Sequence, residues 1–443
     1  MQAATRSRLT LACILITILL DMIGVGIIVP VLPELLEELT GGSVANAAVI
    51  GGYLVFAYAL MQFVFSPVLG NLSDRFGRRP VLLASLLGLT FDYLMMSIAP
   101  FVWYLFIGRI IAGIAGAALA TATAYMADIT PPHKRTHRFG LIGAAFGLGF
   151  IIGPVIGGEL GELGPRVPFF AAAGLAFANF LFGLLVLPES LPKANRRKFN
   201  IKRANPLGAV MALRQYPSVL WLLAVLFFLQ LATQALPTIF SYFTVEVFNF
   251  TSSTIGRTLG AFGIGFAFSQ AVLAGPLSKG IGEPAVGIVG LLFAATAFAG
   301  IAFSADVYQL YLFIAVGTVS GLAPPAINGV LSRQVPDNGQ GELQGAVNAA
   351  SSLATIIGPL GATQIFSYYT SAPETGHYFP GAPFVACGIA VAISLVIFGI
   401  AAWKFELTHR PSVADHPHVP DLPPPGQLRV APIEDENGNQ TRN

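Results

Sequence analysis

Read along its length, the chain alternates between long apolar stretches and short polar breaks. Apolar runs of about 20 residues, enough to cross a bilayer core as a helix, begin near residues 9, 47, 80, 103, 137, 168, 217, 253, 285, 308, 345 and 382. The pattern predicts an all-α membrane protein with twelve transmembrane helices. A polar, basic segment (Lys193 to Arg203, then Pro206) divides the runs six and six. The expected organisation is an N-terminal six-helix bundle over 1–190, a cytoplasmic central linker over 191–215, a C-terminal six-helix bundle over 216–405 and a tail over 406–443. The tail is Pro-rich and polar, with HPHVPDLPPPG inside it, and is expected to be disordered because it cannot bury a core. The first run is too long for a removable signal peptide and lacks a small-residue cleavage site, so it is read as a retained helix.

Composition supports this picture. The 443 residues are 54% hydrophobic and 10% charged, where soluble domains carry roughly 25% charged residues. The 48 glycines suit helices that pack closely in lipid. A net charge of +2 gives no reason to expect a nucleic-acid partner. The placement of the positive charge is more informative, because basic loops stay in the cytoplasm. Arg6, Arg8, Arg75, Arg78, Arg79, Lys134, Arg135, Arg138, the central segment from Lys193 to Arg214, Lys279, Arg333 and the tail fall on one side. The opposite loops hold only Arg166 and Arg257. Both termini are therefore expected in the cytoplasm. Cys13 and Cys387 lie inside apolar runs and read as small buried residues. His409, His416 and His418 read as part of a solvated linker, so no metal or other cofactor is expected. No nucleotide-binding P-loop and no nucleophile–base pair stands out, which argues against ATP as the driving force and against an enzyme.

The two halves echo each other. Gly70, Leu72, Ser73 and Gly77 recur as Gly275, Leu277, Ser278 and Gly282, and IIGP at 151–154 recurs at 356–359, all at an offset of 205 residues. Such a repeat is expected of two pseudo-symmetric bundles facing each other across a central cavity.

The most specific motif is GNLSDRFGRRP, holding Gly70, Asp74, Arg75, Gly77, Arg78 and Arg79 between the second and third runs. Its glycines permit a tight turn. Asp74 can accept from a helix N-terminus or pair with an arginine, forming a charged latch that holds one conformation and breaks in another. The motif resembles the G-x-L-x-D-R-x-G-x-K/R signature of the major facilitator superfamily. Arg109 is a lone arginine inside the fourth run, and a charge at membrane depth marks a functional site, a structural ion pair or a snorkelling side chain. In drug–proton antiporters of that superfamily the matching arginine is implicated in proton coupling. The fifth run carries Gly149, Gly153, Pro154, Gly157 and Gly158. Small residues at every fourth position make a packing groove, and Pro154 can bend the helix. The arrangement GxxxGPxxGG also resembles the motif that sets antiporters apart in the superfamily.

The resemblance then narrows. LLDMIGVGIIVPVLPELLEEL at 19–39, the stretch at 73–94, GAAFGLGFIIGPVIGG at 143–158 and GELQGAVNAASSLATIIGPL at 341–360 together resemble the bacterial tetracycline–proton antiporters. That resemblance implies roles in transport for Asp21, Asp92 and Asp128, with Asp128 joining the latch. It also implies polar cavity positions at Gln230 and Gln234, to which Gln62, Gln270 and Asn328 are added. On their own terms Asp21 and Asp92 are acids in apolar runs, able to take and release protons. Asp92 can equally be the structural partner of a neighbouring helix. Gln230 and Gln234 share a helical face and can equally serve interhelical hydrogen bonding. The chain departs from the family at Ala294, where several members place an acid in the ninth span, and at Phe266, where some carry a histidine. Lys279 and Gly280 replace the Asp–Arg pair in the second-half loop. Proton coupling is therefore expected to rest on Asp21, Asp92 and Arg109.

The expected function is proton-coupled efflux of a hydrophobic drug, with tetracycline favoured, by alternating access. The expected setting is a bacterial inner (plasma) membrane, giving antibiotic resistance. The partners would be the drug, protons and the lipid bilayer, and the protein would be a monomer. The alternatives are an exporter or uniporter of another small molecule, or a transport-inactive receptor on the same fold.

Overall fold

A computed structural model describes residues 2–116, 119–131, 134–197, 213, 216–336, 339–371 and 378–406. The proposed tail and most of the central linker lie outside these residues.

Among the described residues, twelve helices are long and apolar enough to cross a membrane. They are span 1 (Thr10–Ile28), span 2 (Val44–Phe76), span 3 (Arg78–Ile98), span 4 (Val102–Asp128), span 5 (Arg138–Gly161) and span 6 (Val167–Val186). The second set is span 7 (Pro217–Phe248), span 8 (Ser252–Ile281), span 9 (Glu283–Ala302), span 10 (Val307–Ser332), span 11 (Gln340–Thr370) and span 12 (Ala382–Lys404). The two sets form two pseudo-symmetric six-helix bundles. No strand occurs among the described residues. The largest disagreement with the hydropathy reading is at span 11, which starts at Gln340. Its first turn, QGELQ, is polar and belongs to no apolar run. A short amphipathic helix, Leu32–Thr40, follows span 1. It buries Leu32, Leu35 and Leu36, and at nine residues it is too short to stand out as a span.

The internal repeat is visible in local geometry. Span 2 ends at Gly77, with φ 109° and ψ 160°, and its N–H donates to the Ser73 carbonyl. Span 8 ends at Gly282, with φ 84° and ψ 150°, and its N–H donates to the Ser278 carbonyl. Both glycines sit at positive φ, where a Cβ is strained. The repeat therefore preserves the one backbone corner that lets consecutive spans reverse direction across a single residue.

The loops define two faces. One face carries Gly77, Gly282 and the segments after spans 4, 6 and 10, and it holds most of the arginines and lysines. The other carries the turns after spans 1, 3, 5, 7, 9 and 11. Its two arginines are both neutralised: Arg166 pairs with Glu38 at 3.1 Å and Arg257 with Glu159 at 2.6 Å. We refer to the basic face and the neutral face.

The bundles touch chiefly through span 5 against span 8 and span 2 against span 11. The seal lies at the neutral face. Tyr242 abuts Gly51 and Thr363 abuts Gly52 so closely that neither glycine has room for a Cβ. Ser241 donates to the Val29 carbonyl at 2.9 Å, and Ser252 donates to the Pro30 carbonyl at 3.2 Å. Toward the basic face the contact ends. A Cβ built at Gly70, Gly140, Gly143, Gly147, Gly275 or Gly341 meets nothing within 4 Å. The space between the bundles is thus closed at the neutral face and open toward the basic one.

Candidate functional site

The first bundle holds a buried charged pair. Asp92 of span 3 is fully buried and Arg109 of span 4 nearly so, and the Arg109 guanidinium donates to the Asp92 carboxylate. The pair exists because Gly108 leaves room for it: a Cβ there would sit 2.7 Å from Asp92 Oδ1. The same guanidinium lies over the Tyr58 ring, 5.7 Å from its centroid, where a cation is attracted by the π face. Among the described residues, Asp92 Oδ1 and Arg109 Nε have no hydrogen-bond partner. Asp21 of span 1 does not join the pair. It lines a separate void of about 30 Å³ with Thr17, Ser85 and apolar neighbours, a space large enough for one water. Of the three residues expected to couple protons, the structure brings Asp92 and Arg109 together and leaves Asp21 apart in the same bundle.

The loop motif forms the expected charge cluster. Arg78 Nη1 lies 2.7 Å from Asp74, and its Nε lies 3.3 Å from Asp128. Residues after span 6, which the motif does not announce, complete it. Glu189 accepts from the Arg78 backbone N–H at 2.8 Å and so caps span 3. Ser190 donates to Asp128 at 3.0 Å, and the Asp74 carbonyl accepts from the Arg197 N–H at 3.0 Å. Arg79 donates to the Leu184 carbonyl at 2.6 Å. Arg75 is exposed, with its guanidinium over the Phe76 ring, and it makes no ion pair among the described residues.

Span 5 uses its glycines for close approach. A Cβ at Gly149 would lie 2.8 Å from the Leu19 carbonyl, and one at Gly153 would lie 2.8 Å from the Gly26 Cα. One at Gly157 would lie 2.7 Å from the Ile27 Cα. These three face span 1. Gly158 faces span 8 instead, 3.1 Å from the Gly256 Cα on the same construction, and Gly256 has no room for a Cβ against the Pro154 carbonyl. Beyond this seam Glu159 binds Arg257 through two contacts, 2.6 and 3.1 Å, and accepts from Ser253 at 2.9 Å.

A cavity of about 380 Å³ opens where spans 5 and 8 part. Phe146 and Phe150 of span 5, Phe240 of span 7, Phe262 and Phe266 of span 8 and Phe298 of span 9 surround it. Gln234, Gln270, Thr233, Thr258 and Ser320 supply polar atoms. No Asp, Glu, Lys, Arg or His is among the described residues that line it. Two irregular turns shape the wall. Ser269–Leu273 in span 8 is a π-helical turn, which shifts the register and carries Gln270; such turns are frequent at functional sites. Beside it, Val319–Leu322 in span 10 is a 3-10 turn that carries Ser320. Gly321 lets the two turns approach, since a Cβ there would lie 2.5 Å from the Phe266 carbonyl just before the π turn and 3.3 Å from the Ser269 Cβ within it. Nothing in the apolar pattern of either span marks these turns.

Three expected cavity residues do not line this space. Gln62 donates to the Gly116 carbonyl at 3.3 Å and to Tyr58 at 3.4 Å, beside the buried pair of the first bundle. Gln230 donates to Ser351 of span 11 at 3.2 Å. Asn328 donates to the Pro324 carbonyl one turn back, at 2.9 Å. Each polar head finds a closer partner elsewhere. Gln234 does both jobs, lining the cavity while donating to Thr355 at 2.8 Å.

A profile for the Major Facilitator Superfamily matches residues 14–359 and 238–432. This chain belongs to the major facilitator superfamily. The facilitator is 42% identical to tetracycline resistance protein, class C, of Escherichia coli, over 82% of this chain and 91% of that protein. It is 30% identical to multidrug resistance protein 1 of Bacillus subtilis (strain 168), over 90% of this chain and 97% of that protein. Among solved structures, a bacterial homologue of the human lysosomal transporter Spinster shares the fold, with a TM-score of 0.75 at 16% identity, over 92% of this chain and 99% of that one. The facilitator is thus a multi-pass membrane transporter related to drug-resistance proteins.

Proposed function

We propose that this facilitator exports tetracycline, or a similar hydrophobic ring compound, from a bacterial cytoplasm across the plasma membrane in exchange for protons. In this reading the basic face is cytoplasmic, as the charge asymmetry favours. The structure corresponds to the state that loads drug. The observation that carries the proposal is a division of labour. The inter-bundle cavity has no ionisable wall among the described residues, whereas the acids at membrane depth, Asp21 and Asp92, lie in the first bundle.

Drug binds in the cavity through the open basic face. Opening toward the other side requires breaking the neutral-face seal, including the seam between spans 5 and 8. A proton arriving at Asp21 or at the Asp92–Arg109 pair changes the charge inside the first bundle. It shifts the balance of the two states by whatever its affinity differs between them. Coupling then runs through the conformational equilibrium, with no contact between proton and drug.

In inverted vesicles energised by a pH gradient, tetracycline should enter and partly dissipate the gradient. Asp21→Asn should abolish gradient-driven uptake while leaving tetracycline binding measurable. Uptake by Asp21→Asn at the parent rate would remove Asp21 from the mechanism.

A further inference from the structure

Asn179 is a polar residue in the otherwise apolar span 6, and it is only 2% exposed. It grips span 1 through two hydrogen bonds that run in opposite directions. The Thr17 hydroxyl donates to the Asn179 amide oxygen at 3.1 Å, and the Asn179 amide N–H donates to the Thr17 backbone carbonyl at 3.4 Å. In an α-helix that carbonyl also accepts from the N–H four residues on, which here belongs to Asp21. The contact therefore ties down the helical turn that ends at Asp21. Thr17 and Asp21 share a helical face, and both line the small void of the first bundle. The buried Ser85 of span 3 lines it as well, offering a second polar partner to a water held there. No ion pair among the described residues includes Asp21, so no counter-charge fixes its carboxylate.

The second bundle shows what packing alone requires. Spans 7 and 12 are joined by a single bond of this kind, in which the buried Ser394 hydroxyl donates to the Val225 carbonyl at 2.9 Å. At the 205-residue offset Thr17 and Asp21 correspond to Leu222 and Leu226, both buried in the apolar core. A bond from the last span to the backbone of the first is thus common to both bundles. The hold of the Thr17 hydroxyl on the Asn179 amide belongs to the bundle that carries an acid at this depth. We propose that Asn179 is a positioning residue for Asp21: with Thr17 it fixes the turn of span 1 so that the Asp21 carboxylate stays at the void, where it takes up and releases its proton. The inference rests on the reading of Asp21 as a proton-coupling acid.

Turnover and affinity separate positioning from packing. The kcat and KM of gradient-driven tetracycline uptake would be measured in inverted vesicles carrying the full-length protein. Asn179→Leu keeps nearly the same volume and removes both bonds. It should lower kcat about tenfold or more, as for a misplaced reacting group. KM should change less than about twofold, because the drug cavity is lined by other residues. Thr17→Val removes the hydroxyl and leaves the backbone bond, and kcat should fall about fivefold, as for one lost neutral hydrogen bond. Thr17→Ser keeps the hydroxyl and should retain the parent kcat.

Ser394→Ala is the control for a merely structural role. It removes the comparable bond of the second bundle and should lower the melting temperature, as Asn179→Leu does, while leaving kcat at the parent value. A parent-like kcat in Asn179→Leu, or an equal loss in Ser394→Ala, overturns the proposal; if Asp21→Asn is inactive in the same assay, the coupling reading stands without it. Parent-like uptake by Asp21→Asn, or no uptake by the parent, overturns the coupling reading and the proposal together. If Asn179→Leu does not fold, the Thr17 pair decides: equal kcat values in Thr17→Val and Thr17→Ser overturn the proposal.

Discussion

Asp74, Arg78 and Asp128 of the first bundle correspond, 205 residues later, to Lys279, Glu283 and Arg333 of the second. Every charge is inverted. The structure nevertheless pairs the equivalent positions, Arg78 with Asp128 in one bundle and Arg333 with Glu283 in the other. A clamp between the end of one span and the start of another needs opposite charges, but not a particular order of them. The buried acids behave differently. At the same offset Asp21, Asp92 and Arg109 correspond to Leu226, Ala297 and Ile314, and Ala297 and Ile314 line the cavity. The frame is shared. Charge at membrane depth is kept in one bundle, which leaves the other free to build an apolar chamber at the equivalent place.

The largest effect should come from copying the second bundle into the first. Asp92→Asn alone leaves Arg109 buried without its counter-charge, which should cost about 3–5 kcal/mol of stability and most of the folded yield. Asp92→Ala combined with Arg109→Ile reproduces the pair Ala297 and Ile314. The double variant should recover most of that stability, read as a detergent melting temperature, and still fail to transport. A double variant that exports drug would show that the charged pair is structural.

A smaller effect should follow at the clamps. Arg78→Glu places a third carboxylate beside Asp74 and Asp128 and should cost about 2 kcal/mol, within the range for a broken charged network. Inverting all three charges, with Asp74→Lys, Arg78→Glu and Asp128→Arg, should restore at least half of the loss. Glu283→Gln should cost under about 1 kcal/mol, because Arg333 and Glu283 are considerably exposed. Equal losses for Arg78→Glu and Glu283→Gln would mean that the two clamps are energetically equivalent.

The smallest effect lies at the neutral face. Burial and the nearby carboxylates of Glu246 and Glu34 raise the Glu37 carboxyl above its ordinary range. A raised carboxyl means that the ionised form is penalised in the folded state, so the penalty operates at neutral pH and fades as pH falls through the raised value. Glu37→Gln should therefore raise the melting temperature slightly at pH 7 and leave it unchanged near pH 4. A larger gain at the lower pH would contradict the assignment.

The spans and their division were legible because a bilayer forces about 20 apolar residues per crossing, and the repeat was legible because Gly77 and Gly282 each hold a backbone that only glycine adopts readily. The Arg78 cluster could be read from its motif, but Glu189 and Ser190 could not, since they reach it only after spans 3 to 6 have folded back. Lys279 looked like the loss of a motif. Carrying the 205-residue offset one position past Gly282 sets Glu283 against Arg78, and carrying it to Asp128 reaches Arg333, so the inverted clamp was present in the sequence all along. The cavity was the least legible part. Polar residues within apolar spans suggested it, yet Gln62, Gln230 and Asn328 turn to closer partners. The walls are mostly apolar, with six phenylalanines indistinguishable in sequence from those that face lipid, and the turns at Ser269–Leu273 and Val319–Leu322 leave no mark on the hydropathy pattern.

The division of labour between the bundles is tested most directly by drug-induced proton release from the purified protein. Tetracycline would be added to the parent, to Asp21→Asn and, as a control in the second bundle, to Gln270→Leu, in weakly buffered solution. The account predicts proton release by the parent and by Gln270→Leu once the drug concentration is raised to saturate it. It predicts no release by Asp21→Asn, although that variant still binds the drug. Undiminished release by Asp21→Asn at saturating tetracycline would contradict it.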